Sequence, residues 1–140
     1  MDILTTTTNG ILTLEFNRPE RKNAITGAMY QTLADALIDA DQDPSVRAIL
    51  ITGKPEIFTD GNDLEDFLNN VGEGALTEDR PVFQFMRALE GCAKPVVAAV
   101  AGVAVGIGTT LLMHCDLVYC ADNAKFSMPF TPLGLCPEFA

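Results

Sequence analysis

The hydrophobic positions fall into short runs and helical stripes that alternate along the chain. Ile3–Thr6 and Ile11–Phe16 predict two strands around Asn9-Gly10, a dipeptide that favours the positive φ angles of a tight hairpin. After the polar loop Asn17–Ala24, the residues Met29, Leu33, Leu37 and Ala40 recur at helical spacing. With Thr26 available as a cap, they predict a helix over Thr26–Asp41 that Asp43-Pro44 ends. Val46–Thr52 is an Ile/Leu/Val run typical of a strand buried on both faces. Ile57-Phe58-Thr59 is a shorter apolar piece, followed by Gly61 and a helix start at Asp63. Asn69–Arg80 contains glycines and acidic or amide side chains without a period, which predicts a mobile loop bordering a ligand site. Helical spacing resumes over Val82–Cys92 through Phe85, Met86 and Leu89.

The organising stretch is Lys94–Ala121. Pro95–Val100 predicts a buried strand, Gly102, Gly106 and Gly108 a turn that lets the backbone approach a ligand, and the small residues that follow a helix with free N–H groups at its start. A second buried strand over Asp116–Ala121 follows, with a last short one at Lys125–Met128. Pro95–Met113 is uncharged and nearly long enough to span a membrane, but its Gly-rich middle, β-branched start and lack of basic flanks fit a soluble core better. Strand-then-helix units with glycine turns at the carboxyl ends of buried strands predict an α/β architecture, with the ligand at those ends.

Composition changes this picture little. A chain of 140 residues with 48% hydrophobic content suits one domain, 1–140. A net charge of −10 argues against nucleic acid or an anionic membrane as partner. An anionic ligand would need a local basic cluster, and Arg18, Arg21 and Lys22 supply one; the alternative is a solvated loop. The four cysteines form no C-x-x-C pair and no zinc spacing with the lone His114, so no metal is expected. Reduced and mostly buried thiols are the expectation, with His114 in a capping or packing role. The N-terminus lacks the basic region and apolar core of a signal peptide, so a cytoplasmic protein is the simplest reading, with a peroxisomal or mitochondrial address left open.

Two glycine turns presenting backbone N–H groups to one point would form an oxyanion hole. Removing one such donor typically costs about 2.7–4 kcal/mol of barrier stabilisation. At these turns the chain resembles the enoyl-CoA hydratase/isomerase (crotonase) family, through FTDGNDL, through VAGVAVGIGTTLLMHCDLVYCADNAKF, and through the opening GILTLEFNRPERKNAI. The resemblance implies a crotonase-like spiral of ββα repeats, here incomplete because the family's C-terminal helical part is absent. It implies a thioester carbonyl held between the N–H groups of Asn62 and Ile107, with Gly61 and Gly106 allowing the approach. Arg18, Arg21 and Lys22 become candidate contacts to the CoA phosphates, Lys54 a lesser one, and Asp63, Leu64, Thr110, Phe130 and Leu133 are placed in the substrate-binding surroundings. The partner implied is an acyl-CoA thioester, with coenzyme A entering as part of the substrate and no separate cofactor. A longer chain of this family would form a trimer or a dimer of trimers.

The departures from the family pattern are informative. Where hydratases carry two glutamates, this chain has Thr110 and Phe130, neither of which can act as a base near neutral pH. Glu138, in FTPLGLCPEF, matches instead the single glutamate of the Δ3,Δ2-enoyl-CoA isomerase branch. Phe130, Leu133, Leu135 and Phe139 are expected to bury it in part and raise its pKa. Asp60, where the family usually has a small residue, would disfavour an enolate if it faced the site. Two other readings stay open: a different acyl-CoA enzyme of the family, such as a hydratase, and a non-catalytic acyl-CoA-binding fragment.

Overall fold

The computed structural model describes residues 1–71 and 77–139. Strands β1 (Ile3–Thr8) and β2 (Ile11–Phe16) form the expected hairpin, with Asn9 and Gly10 at φ of 54° and 80°. β2 then pairs in parallel with β3 (Ala48–Thr52), β3 with β5 (Val96–Val100), and β5 with β7 (Leu117–Cys120), which completes a five-stranded sheet. A second, all-parallel sheet contains β4 (Ile57–Thr59), β6 (Val103–Val105) and β8 (Lys125–Ser127). Each pair β3/β4, β5/β6 and β7/β8 therefore contributes one strand to each sheet before the chain turns away, so the chain winds as a spiral.

The two longest helices pack against each other, and the first of them also touches the larger sheet at β1. Helix α1 (Gly27–Gln42) starts on Thr26, whose Oγ1 accepts the Met29 N–H at 3.3 Å. The apolar stripe Met29, Leu33, Leu37 and Ala40 is buried as its spacing predicts, together with Tyr30 and Ala34. Burying such a Leu or Met side chain is worth about 1.5–3 kcal/mol. α2 (Leu64–Val71) and α3 (Pro81–Glu90) follow, and α3, with Phe85 and Leu89 buried, packs against α1. α4 (Ile107–Thr110) is a single turn continued by a 3-10 turn over Leu111–His114. Of the predicted loop Asn69–Arg80, the first residues belong to α2, and 72–76 lie outside the described residues.

Several expectations need correction. The stretch after Gly102 contains β6, because three residues between Gly102 and Gly106 pair with both β4 and β8. β7 is exposed along its length, since it is the outermost strand and has a neighbour only in β5. β3 and β5, both expected to be fully buried, each alternate buried and half-buried positions. Of the cysteines, all free, Cys120 on β7 and Cys136 are exposed, while Cys92 and Cys115 are partly buried. Burial, and secondarily the charge of Asp116, pushes the Cys115 thiol up to about 12, so it is an inert packing group.

Gly102 turns towards protein, not ligand. The corner between β5 and β6 lies directly on the corner between β3 and β4, and a Cβ on Gly102 would stand 2.1 Å from the carbonyl carbon and oxygen of Glu56. Asn123 in the next corner ties the two together, accepting the Gly102 N–H at 3.0 Å and donating to Pro55 O at 2.9 Å. The spiral thus stacks corner on corner with no room for a side chain. At φ +69°, Gly102→Ala adds backbone strain to this clash and should lower stability by about 3 kcal/mol or more in denaturant unfolding. A loss near zero would mean that the corners do not pack in this way.

Candidate active site

The site forms where β4 and β6 end. Their parallel pairing, with Thr59 opposite Ala104, brings the turns after both strands side by side. A Cβ on Gly61 would meet Val105 O at 2.8 Å and Gly106 Cα at 3.9 Å, and one on Gly108 would meet Thr59 Cγ2 at 2.6 Å. The two backbones therefore touch. Gly61 has φ +88°, and Gly106 has φ 59° and ψ −122°, a combination close to glycine's alone, with open space where its side chain would be.

Neighbouring N–H groups are already used. Thr59 Oγ1 accepts from Gly61 N at 3.1 Å, Asp63 N donates to Ile25 O at 2.9 Å, and Thr109 N and Thr110 N both donate to Gly106 O. The N–H groups of Asn62 and Ile107 have no hydrogen-bond partner among the described residues. They are free donors at the junction of the turns.

Buried polar side chains fix the first turn. Asn23, wholly buried at φ 55°, donates to Ile57 O and Phe58 O and accepts the Arg18 N–H at 2.7 Å. Thr59 Oγ1 donates to Asn23 O at 2.7 Å. Arg18 Nη1 donates to Ala24 O at 3.0 Å and to Asp63 Oδ2 at 2.7 Å, and Asp63 Oδ1 accepts the Asp66 N–H at 3.0 Å at the start of α2. The Arg18 hydrogen bond first, and the Asp66 N–H second, hold the Asp63 carboxyl below its ordinary range. Arg18 is thus tied inwards. Arg21 is half exposed beside Glu65 at 2.7 Å, Lys22 is exposed, and Lys54 pairs with Glu15. Asp60 is exposed.

Glu138 returns from far along the chain to this point. Asn62 Nδ2 donates to its Oε1 at 2.6 Å. Burial raises the Glu138 pKa above that of an ordinary glutamate, and the Asn62 hydrogen bond partly opposes the rise. Leu133 and Leu135, 61% and 57% exposed, do not bury it as expected. Its surroundings come instead from the wall of a cavity of about 550 Å³ that Glu138 shares with Ile25, Tyr30, Asn62, Phe67 and Val82. The segment is anchored by Phe139, which packs on Phe85 and stacks on the His114 ring at 3.7 Å, while His114 Nε2 lies 3.0 Å from Phe139 O. His114 therefore has the packing role expected of it.

The remaining candidates lie around this centre. Asp63 lines the cavity; Leu64, Thr110, Phe130 and Leu133 do not. Leu64 is 66% exposed, Phe130 is buried, and the Thr110 hydroxyl is buried without a hydrogen-bond partner among the described residues. Sequence reasoning missed Asn23, Thr59 and Tyr30. Asn23 and Thr59 carry no periodic signal, and Tyr30 sits beside the helix stripe that its neighbours explain.

Known proteins fit this geometry. The family model described as enoyl-CoA hydratase/isomerase matches residues 6–140. The chain is 39% identical to the peroxisomal enoyl-CoA delta isomerase 3 of Mus musculus, over 98% of this chain and 44% of that protein. It is 41% identical to the probable enoyl-CoA hydratase echA8 of Mycobacterium leprae, over 91% and 48%. The solved structure of Pseudomonas aeruginosa OdaA superposes with a TM-score of 0.93 at 51% identity, covering 99% of this chain and 55% of that one. The chain spans about half the length of these relatives and shares the crotonase fold of the structural neighbours. From its opening hairpin to the Glu138 segment, the chain belongs to the enoyl-CoA hydratase/isomerase family.

Proposed function

We propose that this chain provides the catalytic centre of an acyl-CoA isomerase that moves a 3-enoyl double bond to the 2-position. The observation that carries this reading is the partly buried carboxylate of Glu138, held against the Asn62 turn with no salt-bridge partner among the described residues, whereas Arg18 engages Asp63 and the positions where hydratases of the family carry acids are Thr110 and Phe130. The thioester carbonyl would accept from Asn62 N–H and Ile107 N–H. Glu138 takes a proton from C2, the electron pair moves into a dienolate whose oxygen the two N–H groups stabilise, and the same carboxyl returns the proton to C4. No water is activated. Lys22 and Arg21, the exposed members of the basic cluster, would meet the CoA phosphates, and Arg18 would serve by holding Asp63. Relatives named as isomerases and as hydratases are similarly close, so the choice between them rests on the missing carboxylates.

The direct test follows conversion of 3-enoyl-CoA to conjugated 2-enoyl-CoA optically, with hydration of 2-enoyl-CoA run in parallel, in the protein as its source expresses it. Glu138→Gln should lower the isomerisation rate by about 10²–10⁴-fold, the usual contribution of a positioned base. Hydration should be slight in both proteins. Undiminished isomerisation by Glu138→Gln, or hydration as the faster reaction, would contradict the reading.

The pH dependence has a fixed sign. A base must be ionised to act, and burial raises the Glu138 pKa, so activity should climb with pH through a midpoint above the value of about 4.3 for an ordinary glutamate. A kcat/KM profile already flat at that pH would show that Glu138 is not the titrating base.

A further inference from the structure

The hydroxyl of Tyr30 and the amide of Asn62 form a chain that ends on Glu138. Tyr30, on α1, is 3% exposed, and its ring packs on Phe85 with centroids 5.5 Å apart. Its hydroxyl donates to Asn62 Oδ1, and Asn62 Nδ2 donates to Glu138 Oε1 at 2.6 Å. An amide has one acceptor end and one donor end. Fixing Oδ1 on the tyrosine therefore aims the NH₂ at the carboxylate; rotated the other way, Oδ1 would face a negative oxygen. Burial, and secondarily the charge of Glu138, pushes the Tyr30 pKa well above its ordinary value, so the hydroxyl keeps its proton wherever the enzyme works.

We propose that Tyr30 is a positioning residue that acts through the Asn62 amide: it locks Oε1 of Glu138 as a hydrogen-bond acceptor and leaves Oε2 as the oxygen that carries the proton. The inference rests on the reading of Glu138 as the base. In the step concerned, the C2–H bond breaks, its electron pair enters the dienolate, and the proton binds Oε2. Oε1 stays on the amide throughout, so the carboxyl does not rotate between taking the proton and returning it. Asn62 then serves twice, its backbone N–H facing the thioester oxygen and its side chain facing the base.

Among the described residues, the charged and titratable groups around Glu138 are Tyr30 from α1, Asp63 and Asp66 at the start of α2, Arg80 ahead of α3, and His114 behind Phe139. Asp63 is engaged by Arg18, Asp66 Oδ2 accepts the Gly27 N–H at 2.9 Å, and Arg80 donates to Asn70 O at 2.6 Å. None of these except Tyr30 itself is altered by the substitutions below, so a change in the titration of Glu138 reports the relay.

The experiment is a carboxyl-carbon NMR titration of glutamate-labelled protein, with the Glu138 signal assigned by its loss in Glu138→Gln. Tyr30→Phe keeps the ring in place and should move the Glu138 midpoint upwards by about one pH unit, the scale of one weakened hydrogen bond to a charged group. Asn62→Ala should move it at least as far, and Tyr30→Phe should add nothing in the Asn62→Ala background, because the tyrosine acts only through the amide. Asn62→Leu replaces Asn62→Ala if that protein does not fold. An unmoved midpoint in Tyr30→Phe, or shifts that add in the double variant, overturns the relay. Failure of the underlying reading looks different: Glu138→Gln would keep its isomerase activity whatever the titration shows.

Discussion

Parallel pairing of β4 with β6 is the contact on which the site depends. It joins two strand ends that are more than forty residues apart in sequence, and the glycines just beyond them let the backbones touch. With Gly61 replaced by any larger residue, a Cβ would stand 2.8 Å from Val105 O, so the turns would separate. Contact here also explains why the donors at the junction are Asn62 and Ile107. The N–H groups of Gly61, Asp63, Thr109 and Thr110 are engaged by acceptors in their own turn or a neighbouring segment. In the proposed reaction, the Asn62 and Ile107 N–H groups would act as a pair of fixed dipoles that stabilise developing negative charge without reorganising.

The polar loop before α1 keeps that pairing rigid. Asn23 and Thr59 satisfy each other and the ends of β4 inside the protein, and Arg18 with Asp63 closes the loop over the start of α2. A buried polar network of this kind is costly when half satisfied, and here each of these side chains has its partners. The basic residue expected to meet a ligand phosphate, Arg18, is instead part of the frame that aims Asn62.

Much of this was legible in the residues. The Asn-Gly hairpin, the α1 stripe with its Thr26 cap and the starts of α2 and α3 follow from local propensity and period, which act over a few neighbours. Gly61 and Gly106 marked the turns, and resemblance to a family placed Glu138. Less visible was anything set by contacts far apart in sequence. β6 is too short to show a period and exists because β4 and β8 flank it; β7 has an interior strand's composition but an edge strand's exposure. Gly102 looked like a ligand turn and is a packing corner. The residues that bury Glu138 come from α1, α2 and α3, not from the leucines beside it in sequence.

The central claim is that the two paired turns hold a thioester oxygen with Glu138 poised beside the carbon next to it. A crystal structure of the protein with a non-reactive 3-enoyl-CoA analogue tests this most directly. The account predicts the carbonyl oxygen within hydrogen-bond distance of both Asn62 N and Ile107 N, and a Glu138 carboxylate oxygen facing C2 and C4 on one side of the acyl chain. A thioester bound elsewhere in the cavity, or held by only one of the two N–H groups with Glu138 turned away, would contradict it.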